Sequence, residues 1–191
     1  MIIPVRGFRG AKGRLADALD EAAREALAGT LFRTVMAAAP PLGIVVVSGD
    51  PEVVRVALAA GASVVDDPGG GLDNAVTVGV AAAGRLGHDR AVVAHGDLPF
   101  PDGLADLSSV HGIAFVPDRH LDGTNVISLP VDLGFRFHYG PGSFERHVTE
   151  ARRLGIEPTV LADSRLSWDV DVPEDLITPV GWGPPPWEHD V

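Results

Sequence analysis

The chain of 191 residues contains no cysteine. Disulfide bridges, thiolate metal sites and cysteine nucleophiles are therefore excluded, which leaves carboxylates and histidines as metal ligands and favours a hard ion. No stretch reaches the roughly 18 apolar residues that a membrane helix requires, and the first residues lack the pattern of a signal peptide. We therefore expect a cytoplasmic protein with no membrane partner.

Positive charge is also scarce, since 15 Lys and Arg residues stand against 26 Asp and Glu residues and give a net charge of -11. This balance argues against nucleic-acid binding, which needs a broad basic face. The first connection nevertheless concentrates four cations, namely Arg6, Arg9, Lys12 and Arg14. Such a cluster suits one compact polyanion such as the phosphates of a nucleotide, and a solvated loop is the alternative.

Several common catalytic motifs are absent: the sequence has no G-x-S-x-G elbow, no H-E-x-x-H pair and no P-loop. The histidines at 95, 120, 138 and 147 follow no metal-ligand spacing, so a structural role is the simpler interpretation. The glycine-rich stretch "PGGGLDNA" follows two aspartates. We interpret it as a loop that leads into a helix near the base or ribose of a nucleotide.

Short β-branched runs alternate with alanine-rich amphipathic segments, which is typical of an α/β sheet covered by helices on both faces. The predicted strands are Ile2–Val5, Gly43–Val47, Ser63–Val65, Ala91–Ala94, Ile113–Val116, Val126–Leu129 and Thr159–Leu161. The predicted helices are Arg14–Ala39, Pro51–Ala60, Leu72–Arg85 and Ser143–Leu154, the first broken near Asp20, which would cap its second segment.

The pattern indicates a single domain over residues 1–176. The remaining stretch, 177–191, is rich in proline and glycine, so we expect a tail that forms no packed element. Its two tryptophans, Trp182 and Trp187, leave open docking on this domain or on a second subunit of a homodimer.

Ligands of an open α/β sheet bind at the carboxyl ends of its strands, so acidic residues at these positions are candidate metal ligands. Asp97 follows a predicted strand in "HGDLPF" and is placed to hold Mg²⁺ against a triphosphate; the alternative is a cap for a helix near Pro101. Asp169 and Asp171 alternate as strand residues do, so both would face one side, and one or both would share the metal with Asp97. Their alternative role is to cap the turn Pro173–Leu176.

Two further segments, "RHLDGTNVI" and "YGPGSFERH", combine glycine with hydroxyl side chains beside strand ends. Backbone N–H groups of such turns, together with a helix start, bind phosphate or carboxylate. Thr124, Gly140 and Ser143 are therefore candidate anion-binding residues. Ser143 is alternatively an ordinary helix N-cap.

The order and spacing of these motifs identify a family resemblance. From Ile2 to about Leu176, the segments "IPVRGFRGAKGRLA", "GDLPF", "PDRHLDGTN", "YGPGSFERH" and "DVDVPEDL" resemble the 2-phospholactate or phosphoenolpyruvate guanylyltransferases of deazaflavin coenzyme F-420 biosynthesis. The pairing of D-G-T-N with Y-G-x-G-S-F-x-x-H is specific, whereas G-D-L-P occurs in many nucleotidyltransferases. The resemblance implies a nucleotide-diphospho-sugar transferase-like fold, with a mostly parallel twisted sheet between helices.

The resemblance also implies a reaction, in which GMP passes from GTP to the phosphate of a small phosphorylated carboxylic acid and pyrophosphate leaves. In the family pattern, Lys12 and Arg14 would neutralise the triphosphate and Asp97 would bind Mg²⁺. The acceptor's phosphate and carboxylate would be held by Thr124, Gly140 and Ser143. A downstream transferase would take over the product.

Two positions depart from the family pattern. Arg6 stands where a lysine is common, and "GLDNA" replaces the commoner "GLNAA", which leaves open whether Asn74 or Asp73 contacts the nucleotide. Two alternative functions also stay open at this point. One is a non-catalytic nucleotide-binding domain, and the other is transfer of another nucleotide or use of another acceptor such as 3-phosphoglycerate.

Overall fold

A seven-stranded sheet forms the centre of the molecule. The structure, a computed structural model, describes residues 1–39, 42–162 and 164–189. The strands in these ranges are β1 (Ile2–Pro4), β2 (Val45–Val47), β3 (Ser63–Val65), β4 (Arg90–Ala94), β5 (Ala114–Pro117), β6 (Thr124–Pro130) and β7 (Thr159–Val160). Their order is β3-β2-β1-β4-β6-β5-β7. Only β6 runs against its neighbours β4 and β5, so the sheet is mostly parallel, as predicted.

Four α-helices connect the strands: α1 (Glu21–Ala37), α2 (Pro51–Ala59), α3 (Leu72–Arg85) and α4 (Ser143–Arg153). The carboxylate of Asp20 accepts the backbone N–H of Ala23 at 2.8 Å, which confirms the predicted cap and break before α1. Asp50 caps α2 in the same way. Short 3₁₀ helices cover Gly13–Leu15, Ala105–Ser109, Arg165–Ser167, Pro173–Leu176 and Pro186–His189.

The sheet is buried on both faces because its strands alternate apolar side chains between two clusters. Ile3 and Val46 point toward one cluster, which includes Phe32 of α1 and Val53 of α2. Ile2 points to the opposite face of the sheet, where it joins the apolar cluster that includes residues of α3 and α4. The helices therefore cover both faces, as the alternating pattern predicts.

Gly79 sets the distance between α3 and the sheet. A β-carbon at this position would lie 2.5 Å from Ile2 Cγ2 and 2.9 Å from Val47 Cγ2, closer than packed atoms approach. The absent side chain lets the helix lie directly on β1 and β2, and this contact holds the start of α3 beside the carboxyl end of β1.

The tail packs more closely than its composition predicts. The 3₁₀ helix Pro186–His189 brings Trp187 against a small cluster that contains Leu31 of α1 and Val170. Trp182 contacts the ring of Phe100 edge-on, with 5.3 Å between ring centroids. The expectation that this stretch forms no packed element is therefore wrong, because its aromatic side chains bury apolar area on the domain. The division of the chain at residue 176 stays a prediction, and residues 190–191 lie outside the described ranges.

None of the helices in the described part of the chain is long and apolar enough to cross a membrane.

Candidate active site

A cavity of about 300 Å³ opens where the parallel neighbours β1 and β4 end. The residues after β1 contribute one wall, and His95, Gly96 and Asp97 after β4 contribute the floor. Asp171, from the segment before the 3₁₀ helix Pro173–Leu176, reaches the same cavity. The carboxyl edge of the sheet therefore gathers the basic first connection and the predicted acidic residues in one place.

Lys12, the only lysine in the sequence, lies at the centre of this cavity. Its Nζ is 2.5 Å from Asp97 Oδ2 and 3.1 Å from Asp171 Oδ1, and only 8% of its side chain is exposed. The backbone of Lys12 adopts the left-handed conformation with φ 55°, which costs an L residue about 1–2 kcal/mol. The tight turn before Gly13–Leu15 thus directs the ammonium group inward, between two carboxylates.

The charges of this cluster stabilise one another. Burial by itself lowers the pKa of Lys12, but Asp97 and Asp171 outweigh it and the net pKa is raised, so the ammonium stays charged. Burial likewise works to raise the pKa of Asp97, while Lys12 and then His95 outweigh it and leave that pKa below its ordinary value. The cluster therefore holds an ammonium and an ionised carboxylate in a partly dry site.

Asp169 is the third acidic residue of the cluster. Burial, followed by repulsion from Asp97 and Asp171, raises the pKa of Asp169 to about 6. The segment is extended but pairs with no strand of the sheet, so the predicted strand is wrong. Neither Asp169 nor Asp171 caps the following 3₁₀ helix, since the residue before it is Val172 and the carboxylate of Asp175 accepts the local N–H groups.

Asp97 and Asp171 supply oxygen ligands of the kind that a hard divalent cation prefers, and Asp97 Oδ1 is buried with no hydrogen-bond partner among the described residues. Asp97 caps no helix, since the 3₁₀ helix that follows begins at Ala105 and its cap position belongs to Leu104. Within the described ranges no group of three or more histidine or acidic side chains is placed so that it could hold a metal ion. Joint binding of Mg²⁺ by Asp97, Asp169 and Asp171 stays a prediction. Lys12 Nζ lies between Asp97 and Asp171, where it neutralises both carboxylates.

A second cavity of about 410 Å³ adjoins the first and shares Pro4, Val5 and Leu72 with it. Arg6 and Asp67 line it beside the glycine turn. The amide of Asn74 donates to the carbonyl of Gly69 at 3.1 Å and so fixes the shape of this turn. The predicted nucleotide residues Arg6 and Asn74 are therefore near the first cavity.

Asp73 and Asn74 have separate structural roles, and which of them contacts the nucleotide stays a prediction. Asp73 Oδ1 accepts the backbone N–H of Tyr139 at 2.7 Å, across 66 residues of sequence. This bond ties the start of α3 to the loop that precedes α4. Asp73 thus joins the predicted nucleotide side of the site to the predicted acceptor side, while Asn74 shapes the glycine turn.

Arg14 lies at the rim of the cavity, with 76% of its side chain exposed and Nη1 3.7 Å from Asp171 Oδ2. An exposed pair at this distance contributes little to stability. The guanidinium is therefore free to turn toward a bound anion. Arg9 points away and pairs with Glu25 on the surface at 3.7 Å.

The predicted acceptor residues Thr124 and Ser143 come together where β6 and α4 begin. Both are buried, and Ser143 Oγ donates to Thr124 Oγ1 at 3.4 Å. His147 Nε2 accepts the backbone N–H of His138 at 2.9 Å, which leaves the proton on Nδ1 to bond Thr124 Oγ1 at 3.0 Å. Binding of an acceptor by these residues stays a prediction.

Ser143 is the first residue of α4, and the cap position belongs to Gly142 at φ 70°, so the alternative role of Ser143 as an N-cap is wrong. Gly140 is exposed and also has positive φ, at 104°. The guanidinium of Arg146 donates to carbonyl groups of residues 138–141 and holds this loop in place.

Several residues of this region carry no motif signal. His95 lies on the cavity floor, and its Nε2 is buried without a hydrogen-bond partner in the described part of the chain. Its ring lies 5.6 Å from that of Tyr139. The sequence favours a structural role for this histidine, and only its position between β4 and Asp97 marks it as a site residue.

The buried His147 predicts a dependence of stability on pH. Burial, with His138 and Arg146 acting in the same direction, lowers the pKa of His147 to about 3. A histidine in the unfolded chain has a pKa of about 6.5, so below that pH the unfolded chain binds a proton that the native state does not bind. We expect the free energy of unfolding to fall by about 1.4 kcal/mol per pH unit from this residue as pH decreases from about 6 toward 5.

Urea unfolding of the wild type and His147→Gln at pH 7, 6 and 5 checks this expectation. The variant is less stable at pH 7, because the buried bonds to Thr124 and His138 change, but its stability declines less steeply with acid. Equal slopes for the two proteins would contradict the assignment of a neutral buried imidazole.

The class that the structure defines is a fold class, that of the nucleotide-diphospho-sugar transferases. A putative nucleotide-diphospho-sugar transferase from Desulfovibrio desulfuricans G20 superposes with a TM-score of 0.72 at 20% identity and covers 92% of this chain and 83% of its own. Glucosyl-3-phosphoglycerate synthase from Mycobacterium tuberculosis, solved with Mg²⁺ and uridine-diphosphate, gives 0.50 at 14% identity and covers 84% and 67%. At these identities the likeness establishes the fold alone.

The family model described as "Guanylyl transferase CofC like" matches residues 1–181. The phosphoenolpyruvate guanylyltransferase of Conexibacter woesei is 37% identical over an alignment of 188 positions, and the match covers 92% of this chain and 84% of that protein. The chain belongs to the CofC-like guanylyl transferase family and is a nucleotidyltransferase. The family resemblance drawn from the motifs is thereby confirmed.

Proposed function

We propose that the protein transfers GMP from GTP to the phosphate of phosphoenolpyruvate or 2-phospho-L-lactate, with Mg²⁺ as cofactor, in coenzyme F-420 biosynthesis. The name of the Conexibacter woesei relative supports the acceptor class. The observation that carries the proposal is the cluster of Lys12, Asp97 and Asp171 at the carboxyl edge of the sheet. This cluster combines a cation for phosphate with carboxylates for a metal.

The reaction exchanges one phosphorus–oxygen bond for another. An oxygen of the acceptor phosphate attacks the α-phosphorus of GTP, and the bond from that phosphorus to the bridging oxygen of the β-phosphate breaks. The electron pair of that bond leaves with pyrophosphate. A phosphate monoester has its second pKa near about 6, so the attacking oxygen is largely deprotonated at neutral pH and no general base is required.

The protein's task is to bring two anions together and to neutralise the leaving group. Lys12 and Arg14 would approach the triphosphate from the first connection. Arg6 lines the adjoining cavity where the nucleoside would lie, and Asn74 holds the glycine turn of that cavity through Gly69. Asp97, Asp169 and Asp171 would hold Mg²⁺, which neutralises charge on the phosphates when bound. Thr124, Gly140 and Ser143 would bind the acceptor.

The bond between Asp73 and Tyr139 supports this division of the site, because it fixes the distance between the loops that would carry the two substrates. The product joins two phosphates in an anhydride, so we expect a downstream transferase to consume it. A homodimer is compatible with this scheme and is not required by it.

Pyrophosphate release tests the proposal. The purified protein is assayed with Mg²⁺ and GTP in the presence of phosphoenolpyruvate, 2-phospho-L-lactate, 3-phosphoglycerate or no acceptor, with ATP and CTP replacing GTP as controls. We expect release that requires GTP and one of the first two acids. Binding of GTP without release for any acid would contradict catalysis and favour a non-catalytic nucleotide-binding domain.

A further inference from the structure

Asp175 organises the backbone that carries two of the cluster's acidic residues. Its Oδ2 accepts the N–H of Asp171 at 2.6 Å and the N–H of Val172 at 2.8 Å, and only 4% of its side chain is exposed. A carboxylate with two backbone donors fixes the direction of the peptide groups that it binds. The conformation of Asp171 therefore depends on a residue that does not itself line the cavity.

Arg119 completes the charge balance of this buried carboxylate. Its Nη2 forms a short ion pair with Asp175 Oδ1, and 24% of its side chain is exposed. The guanidinium also lies over the ring of Trp168, 4.3 Å from the centroid, while Trp168 Nε1 donates to the carbonyl of Asp175 at 3.1 Å. Arg119, Trp168 and Asp175 thus form a closed set of contacts around the Asp169–Asp171 segment.

Arg119 belongs to the turn that precedes β6, on the side of the predicted acceptor residues. Asp118 holds this turn by accepting backbone N–H groups of His120, Asp122 and Gly123. Asp122 in turn accepts the N–H of Gly142 with its side chain at 3.1 Å and the N–H of Phe144 with its carbonyl at 3.0 Å. The start of α4 is therefore connected to Arg119 through a single turn.

We propose that Arg119 and Asp175 are positioning residues, which hold Asp171 and its neighbour Asp169 at the cavity and connect them to the acceptor-side turn. This inference rests on the proposed function. Asp175 accepts the peptide N–H of Asp171. Arg119 belongs to the turn that Asp122 holds against the start of α4. Loss of the pair should weaken metal binding and lower turnover, with a smaller effect on the free energy of unfolding.

The test uses Mn²⁺ as the metal probe, with binding measured by electron paramagnetic resonance and turnover by pyrophosphate release. Arg119→Met is the first variant, since the arginine side chain is partly exposed and methionine keeps an unbranched side chain without the charge. We expect the dissociation constant for Mn²⁺ to rise about tenfold or more and kcat to fall by a similar factor. Arg119→Lys restores the charge and should recover part of both.

Asp175→Asn and the double variant Arg119→Met/Asp175→Asn test whether the two residues act as a unit. Their effects on Mn²⁺ affinity should then not add, because either change alone breaks the same support. Arg165→Met is the matched control: Arg165 pairs with Asp102 at 2.7 Å and contacts Trp182, without a contact to Asp171. Its Mn²⁺ affinity should equal that of the wild type.

Wild-type Mn²⁺ affinity and kcat in Arg119→Met, with only a lower melting temperature, would overturn the inference and leave a purely structural pair. A wild-type protein that binds no Mn²⁺ would also overturn it. Failure of the proposed function gives a different result, in which the wild type releases no pyrophosphate with any acid while Arg119→Met still weakens Mn²⁺ binding.

Discussion

Asp97→Asn should lower the rate of guanylyl transfer by about two to three orders of magnitude and leave the fold intact. The substitution keeps the size of the side chain but removes a carboxylate that pairs with Lys12 at 2.5 Å and whose other oxygen is buried without a hydrogen-bond partner among the described residues. Removal of one preorganised electrostatic group at a reacting centre typically costs about 10²–10³ in kcat. Initial rates of pyrophosphate release with GTP and saturating acceptor measure the effect.

Asp102→Asn is the matched control for this prediction. Asp102 follows the same strand, but 71% of its side chain is exposed and it pairs with Arg165 outside the cavity. We expect nearly wild-type rates from this control. Near-normal turnover by Asp97→Asn would contradict the assignment of Asp97 as a metal ligand.

Lys12→Met separates the two roles that the structure suggests for this lysine. Turnover should fall about hundredfold, since the triphosphate loses a buried cation that no other side chain of the first connection places as deeply. Affinity for Mn²⁺ without nucleotide should rise, because the ammonium that lies between Asp97 and Asp171 no longer competes for their charge. Electron paramagnetic resonance measures the second effect independently of turnover.

Arg9→Met provides the control, since Arg9 belongs to the same connection but pairs with Glu25 on the surface. It should change neither quantity. If Lys12→Met leaves the Mn²⁺ affinity unchanged or weakens it, the ammonium of Lys12 does not compete with a metal ion for the two carboxylates.

The prediction from sequence was most successful where local pattern and burial agree. Each of the seven strands was predicted within a few residues, because strands buried on both faces appear as short β-branched runs such as Val45–Val47. The cap at Asp20 was also predicted, since a cap requires only neighbouring residues. Motif positions after β1 and β4 singled out Lys12 and Asp97, and the structure has both lining one cavity, while their roles stay predictions.

The prediction from sequence was less successful where contacts between distant residues determine the local conformation. Asp169 and Asp171 were expected in a strand, yet their segment is held by Asp175 and Arg119 rather than by a neighbouring strand. The tail was expected to form no packed element, with docking of its tryptophans on this domain or on a second subunit left open, and only the structure shows Trp187 against a cluster on α1. Its proline and glycine content does not distinguish these alternatives.

The sequence by itself determined the α/β class, the family and the residue types that carry the chemistry, because these depend on periodicity and on motifs within a few residues. The tertiary structure decided how these residues meet. Lys12 contacts carboxylates that are 85 and 159 residues away in the chain, and Asp73 reaches Tyr139 across 66 residues. Such pairs form only when the sheet order brings the carboxyl ends of its strands to one edge, and that order is a property of the folded chain.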